Sequence, residues 1–207
     1  MNLQLLLAPG AGAPSSSPWM QGFRERLLAL GAVYCFDYPN QLAGRRSPDR
    51  LPVLVAAQRA ALEKLDPAVP VVLVGKSMGG RIGCHLANEV PRRQPLALVC
   101  LGYPLVGQNG ALRDEVLVTL RTPILFVQGS RDPLCPLNRL AEVRRRMSAL
   151  NDLHVVEGGN HSLQVARSEL KANGGSQDAI DATIVRRIAD FVQKARADSA
   201  RKLTVGI

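Results

Sequence analysis

An α/β fold, a mostly parallel sheet with helices on both faces, is what this 207-residue sequence predicts. Short runs rich in Leu and β-branched residues alternate with longer segments of helical period, and no repeat of roughly 20 to 50 residues is visible. The run Val71-Val72-Leu73-Val74 is apolar throughout, as expected of a strand covered on both faces. The length fits one domain with its own core, expected over residues 1–200, with 201–207 as a loose tail.

Residues 3–8 read as a strand that breaks at Pro9-Gly10. A helix follows over 18–30, then a strand over 32–38 that ends before Pro39, and a polar loop over 40–52. Residues 53–65 form a helix and 69–74 a buried strand, after which a glycine-rich turn leads into a helix over 80–90. The next buried strand covers 96–101, with a connector over 107–121 and another apolar strand over 123–128. Leu140, Val143, Met147 and Leu150 make one stripe of a helix over 137–150, and 153–156 is the last strand. Residues 163–176 have the composition of a mobile loop. The final helix, over 177–197, places Ile180, Ile184, Ile188 and Val192 at every fourth position, toward the sheet.

Twenty-six Lys and Arg against 17 Asp and Glu leave a formal charge of +9, and 21 of the cations are arginines. Their short groups, such as Arg45-Arg46 and Arg144-Arg145-Arg146, are spread along the chain without interleaved aromatic residues, so nucleic acid is not the expected partner. Cys35, Cys84, Cys100 and Cys135 are scattered, with no CxxC pair and no clustered His, which points to free thiols and no metal. No apolar run reaches the roughly 18 residues that span a bilayer, and the amino terminus lacks the basic start of a signal peptide. A cytoplasmic protein without a membrane partner is expected.

Gly75-Lys76-Ser77-Met78-Gly79 follows a buried strand directly and opens a helix, the context of a nucleophile elbow. Such a turn strains the serine backbone, and side chains two positions before and after it would collide, which Gly75 and Gly79 avoid. A serine hydroxyl is a poor nucleophile until a positioned base takes its proton, so a histidine and an acid to orient it are required. Asp132 follows the strand that ends at Gln128-Gly129, and His161 follows the last strand in Glu157-Gly158-Gly159-Asn160-His161. The carboxyl ends of parallel strands share one edge, where the three residues can meet. Asp37, also at a strand end, is the reserve acid, while His85 and His154 fall within regular elements and read as structural.

Acyl transfer needs at least two donors on the developing oxyanion. Met78 N–H, at the helix start, is the expected first, and Ala11 N–H, in the glycine-rich loop after the first strand, the second. That loop has neither a GxxxxGK[ST] pattern nor a dinucleotide fingerprint, so no nucleotide cofactor is called for. Lys76 beside the serine could favour an anionic substrate. Tyr103 and Pro104 could line the cleft or serve packing, and Cys135 reads as a small buried filler.

Three stretches carry a resemblance: Gly75-Lys76-Ser77-Met78-Gly79-Gly80-Arg81, Cys100-Leu101-Gly102-Tyr103-Pro104-Leu105, and Phe126 through Cys135. The chain resembles the alpha/beta-hydrolase-like family of testis-expressed protein thirty and NSL complex subunit three, and more distantly small bacterial esterases of dienelactone-hydrolase type. The resemblance implies an α/β-hydrolase fold with Ser77 as nucleophile, Asp132 as acid and His161 as base. A dienelactone hydrolase would have cysteine where Ser77 stands, Pro9 occupies a position that is histidine in many hydrolases, and the first strands of a full-size sheet look missing. Only about twenty residues separate the strands where larger hydrolases insert a lid, so a small, lidless domain with an open site is expected. The function expected is a serine hydrolase of carboxylesterase or thioesterase type acting on a small acyl ester. The alternative is a catalytically silent domain kept as an interaction platform, as in relatives that serve chromatin complexes.

Overall fold

The computed structural model describes residues 2–89, 93–107 and 109–205. The order of elements is β1 Gln4–Ala8, α1 Pro18–Leu27, β2 Ala32–Cys35, α2 Pro39–Leu42, α3 Leu51–Glu63, β3 Val71–Lys76 and α4 Met78–Glu89. It continues with β4 Ala97–Leu101, α5 Glu115–Val118, β5 Ile124–Gly129, α6 Leu137–Arg146, β6 Asn151–Val156, α7 Arg167–Ala172 and α8 Gln177–Val205. The six strands form one sheet in the order β2-β1-β3-β4-β5-β6, and every pair is parallel. Alternation along each strand divides the core in two. Leu6, Leu73, Leu98 and Phe126 face α3, α4 and α6, whereas Leu7, Val72, Val99 and Leu125 face α1 and α8. Because all strands run the same way, the loops after β1, β3, β5 and β6 open at one edge, and these loops carry the residues singled out above.

The strands and large helices stand where periodicity puts them, with ends shifted by a few residues, but α6 stops at Arg146, so Leu150 of the expected stripe lies outside the helix and packs against the core on the other face of the sheet. Four short-range expectations are corrected. The loop expected over 40–52 opens with the single turn α2, because Pro39 presets the backbone and the Gln41 carboxamide accepts the Tyr38 N–H at 3.0 Å. It also closes early, since α3 begins at Leu51, where Pro52 fits a first turn that needs no N–H. The connector over 107–121 contains α5, held by the burial of Val116 and Leu117. The segment over 163–176 is not a bare loop: it holds α7, tied down by a 2.7 Å ion pair from Arg131 to Glu169 and by Gln177, which bonds Val165 N–H and the Leu163 carbonyl. Helix α8 runs on to Val205 rather than ending at Ala197. Of the tail expected over 201–207, positions 206 and 207 lie outside the described residues, as does Val90 at the expected end of α4.

Among the described residues, no helix is long and apolar enough to cross a membrane, and no group of His, Cys, Asp and Glu is placed to hold a metal ion. Helix α8 covers one face of the sheet through Ile184, Ile188, Phe191 and Val192. Ile188 is fully buried. Truncating it to Ala should lower stability by about 2 to 5 kcal/mol, read as a fall in the urea midpoint with an unchanged slope.

Candidate active site

The turn between β3 and α4 is as tight as its sequence requires. Ser77 has φ +49°, one of two non-glycine residues among those described with positive φ. Its N–H donates to Leu101 O at 3.0 Å, which prolongs the β3–β4 ladder, while its carbonyl accepts from Gly80 N–H and Arg81 N–H and so starts the helix. A Cβ on Gly75 would stand 2.1 Å from Gly80 N, and one on Gly79 would stand 2.6 Å from the Ala8 carbonyl oxygen. Only glycine fits at either position. The second contact presses the start of α4 against the end of β1, so the serine turn and the glycine-rich loop are neighbours by construction.

Ser77 Oγ lies 2.8 Å from His161 Nε2, and His161 Nδ1 lies 2.7 Å from Asp132 Oδ2. The Asp132 carboxyl group is fully buried, and the imidazole is 26% exposed. Gln128 Nε2 donates to Asp132 Oδ2, and Leu134 N–H donates to Oδ1 at 2.9 Å. With both oxygens accepting, the group is set up as a carboxylate. His161 Nδ1–H then donates to it, which leaves Nε2 to accept the Ser77 hydroxyl proton. The structure thus brings together the three side chains expected from sequence. Asp37, the reserve acid, is spent elsewhere: its carboxylate accepts Ser15 N–H at 2.6 Å and Ser15 Oγ–H at 3.1 Å.

That pair is one staple of the loop after β1. The other is Gln41, whose amide donates to the Gly10 and Ala13 carbonyls, both at 2.9 Å. A Cβ on Gly10 would lie 3.6 Å from Ser77 Cβ, so this loop runs directly past the serine. Among the described residues, the Met78 and Ala11 N–H groups donate no backbone hydrogen bond.

A cavity of 420 Å³ opens beside Ser77 and His161, lined by Gly10, Ala11, Trp19 and Lys76. No described residue of the β4–β5 connection, where larger hydrolases insert a lid, lines it. The Lys76 ammonium donates to the His161 carbonyl oxygen and stands 5.2 Å from the centre of the Trp19 ring. Trp19 Nε1–H in turn donates to the Ser162 carbonyl at 2.9 Å. A larger cleft of 510 Å³ lies at the opposite edge of the sheet, but its Arg93 guanidinium is spent on the Leu62, Leu65 and Asp66 carbonyls that end α3.

The family model described as "Alpha/beta hydrolase domain" matches residues 1–193. The chain belongs to that family. This alpha/beta hydrolase domain is also 30% identical over 132 residues to Protein sumv-2 of Caenorhabditis elegans, a match that takes in 62% of this chain and 11% of that protein. The chain therefore spans only a small part of that relative's length. Among solved structures, the dienelactone hydrolase of Anabaena variabilis superposes with a TM-score of 0.68 at 18% identity, over 92% of this chain and 85% of that one. The RedJ thioesterase of Streptomyces coelicolor gives 0.65 at 20%, over 89% and 86%. An alpha-beta serine hydrolase homologue from Coxiella burnetii gives 0.69 at 16%, over 90% and 85%. At these identities the likeness is one of fold.

Two contributors escape sequence reasoning. Trp19 reads there only as part of a helix, and its nearness to the glycine-rich loop is the available signal. Gln128 reads as a strand end, although a carboxamide closing the apolar run Phe126-Val127 calls for buried partners, which are Tyr103 N–H and Asp132. Tyr103 does not line the cleft: it is fully buried, with its hydroxyl donating to the Arg113 carbonyl at 2.9 Å. Cys135 is buried too, and burial pushes its thiol up to about 12, which leaves it inert. His85 and His154 lie on α4 and β6.

Burial lowers Lys76 from 10.5 to about 8, opposed by the nearby Asp132 carboxylate. Between those two values the unfolded domain binds the proton more tightly than the folded one, so this group should make stability rise with pH across that window. A carbon-detected titration of the Lys76 side chain should show the low midpoint, and Lys76→Met should remove this part of the slope. A midpoint above 10 would contradict the assignment.

Proposed function

We propose that this alpha/beta hydrolase domain is a serine hydrolase that cleaves a small ester or thioester through an acyl-enzyme. The observation that carries the reading is the unbroken chain of hydrogen bonds Ser77 Oγ–H to His161 Nε2 and His161 Nδ1–H to Asp132, at 2.8 and 2.7 Å. In this reading His161 takes the Ser77 proton as Oγ attacks the carbonyl carbon, and the imidazolium that forms is stabilised by Asp132. The carbonyl oxygen becomes an oxyanion, received by the Met78 and Ala11 N–H groups. Two facts support that assignment: neither amide has a backbone acceptor among the described residues, and the α4 macrodipole favours negative charge at its start. His161 then protonates the leaving alcohol or thiol as the tetrahedral intermediate collapses. Water, deprotonated by the same imidazole, releases the acid and restores Ser77.

The open cavity suits short acyl groups better than long lipid chains. The Gly-Lys-Ser-Met-Gly-Gly-Arg and Gly-Tyr-Pro-Leu stretches support the narrower kinship with testis-expressed protein thirty and NSL complex subunit three. No metal or organic cofactor enters the proposed steps.

Short-chain p-nitrophenyl esters supply the test. Ser77→Ala and His161→Ala should lower turnover to near the background rate, and Asp132→Asn should lower kcat by about 10⁴-fold through loss of the correct tautomer, with unfolding midpoints showing that each variant is folded. Turnover by the wild type that survives Ser77→Ala would overturn the mechanism, and no turnover of any ester would leave the fold as a binding platform.

A further inference from the structure

The cavity beside Ser77 holds a cation, Lys76, that makes no direct ion pair among the described residues. Lys76 closes β3, and its side chain runs between Gly10, where a Cβ would touch Lys76 Cγ at 3.4 Å, and the Trp19 ring. Among the described residues no Asp or Glu lies within ion-pairing distance of its Nζ. The nearby Asp132 has its two oxygens engaged by His161, Gln128 and Leu134. One of the three ammonium donors is taken by the His161 carbonyl. A partly buried cation whose nearby carboxylate is already engaged by other donors is open to an anion that the ligand delivers. This cation is also adjacent in sequence to the serine and lines the same cavity.

We propose that Lys76 is a specificity-determining residue that pairs with a carboxylate on the substrate, so that the domain prefers half-esters or half-thioesters of short dicarboxylic acids. The inference rests on the hydrolase reading for its chemistry but not for its binding. The carboxylate docks on the ammonium over the Trp19 face, while the ester carbonyl at the other end of a short chain meets Ser77. A neutral acyl group of the same length would leave Lys76 unanswered.

Monoethyl glutarate and ethyl pentanoate, equal in acyl chain length, provide the kinetic comparison. The wild type should favour the half-ester in kcat/KM, and Lys76→Met should lower the ratio of the two values by about 10- to 100-fold, the worth of one charge-assisted hydrogen bond. Using the ratio cancels any general loss from releasing the His161 loop. A ratio unchanged by Lys76→Met would overturn the proposal while leaving the serine hydrolase reading intact. If neither ester is turned over, binding decides. Trp19 is the only tryptophan in the sequence, so its fluorescence reports on this cavity alone. Glutarate should change it saturably in the wild type and at least 10-fold more weakly in Lys76→Met, whereas glutaramide should not; no saturable change with glutarate would overturn the proposal.

Discussion

Everything at the site depends on a steric constraint in one turn. Between β3 and α4 the backbone passes so close to itself and to the end of β1 that positions 75 and 79 admit no side chain, and Ser77, midway between them, is driven to φ +49°. For a serine that conformation costs of order 1 to 3 kcal/mol, and it persists because the flanking strand and helix, both packed in the core, over-determine it. The strain holds the hydroxyl clear of the sheet. Tertiary packing elsewhere is put to the same use, since α4 can press on β1 only if the sheet is fully formed.

From that turn the rest of the site is assembled in layers. The loops after β5 and β6 bring an acid and an imidazole to the serine, and a second set of side chains holds those loops still. Gln128 fixes Asp132 from within the core, Lys76 and Trp19 grip the consecutive carbonyls of His161 and Ser162, and Gln41 with Asp37 staples the loop after β1. Lys76 belongs to both layers. It is part of the serine turn by sequence, it restrains the histidine loop by hydrogen bonding, and it presents positive charge to the cavity. Loss of its side chain would therefore act on alignment and on charge together.

Much of this is legible in the sequence because its signals are local. A buried strand must be apolar, a turn of this tightness must have glycine at fixed offsets, and parallel strands must deliver their following loops to one edge, so Ser77, Asp132 and His161 stand out from residue pattern alone. What escapes is set by partners remote in sequence. Helix α7 lies in a stretch whose Asn173-Gly174-Gly175 reads as loop, and it is held by Arg131 and Gln177 rather than by its own periodicity. The single turn α2 depends on one carboxamide folding back on Tyr38. Trp19 looks like an ordinary helix residue until the loop of His161 is placed beside it, and Tyr103 looks like a cleft residue until its ring is seen packed edge-on against Phe126 with its hydroxyl on the Arg113 carbonyl. The charge of +9 says little about function, and the cation that lines the cavity beside Ser77 is a lysine in an arginine-rich chain.

The central claim is that the strained hydroxyl at position 77 is activated for attack. The most direct measurement is mass mapping after brief exposure of the folded domain to a fluorophosphonate, which phosphonylates a serine supplied with a base far faster than an ordinary hydroxyl. The account predicts one adduct, on the peptide that contains Ser77, formed rapidly near neutral pH and abolished by prior unfolding in urea. A folded domain that stays unlabelled, or one labelled at a different residue, would contradict it.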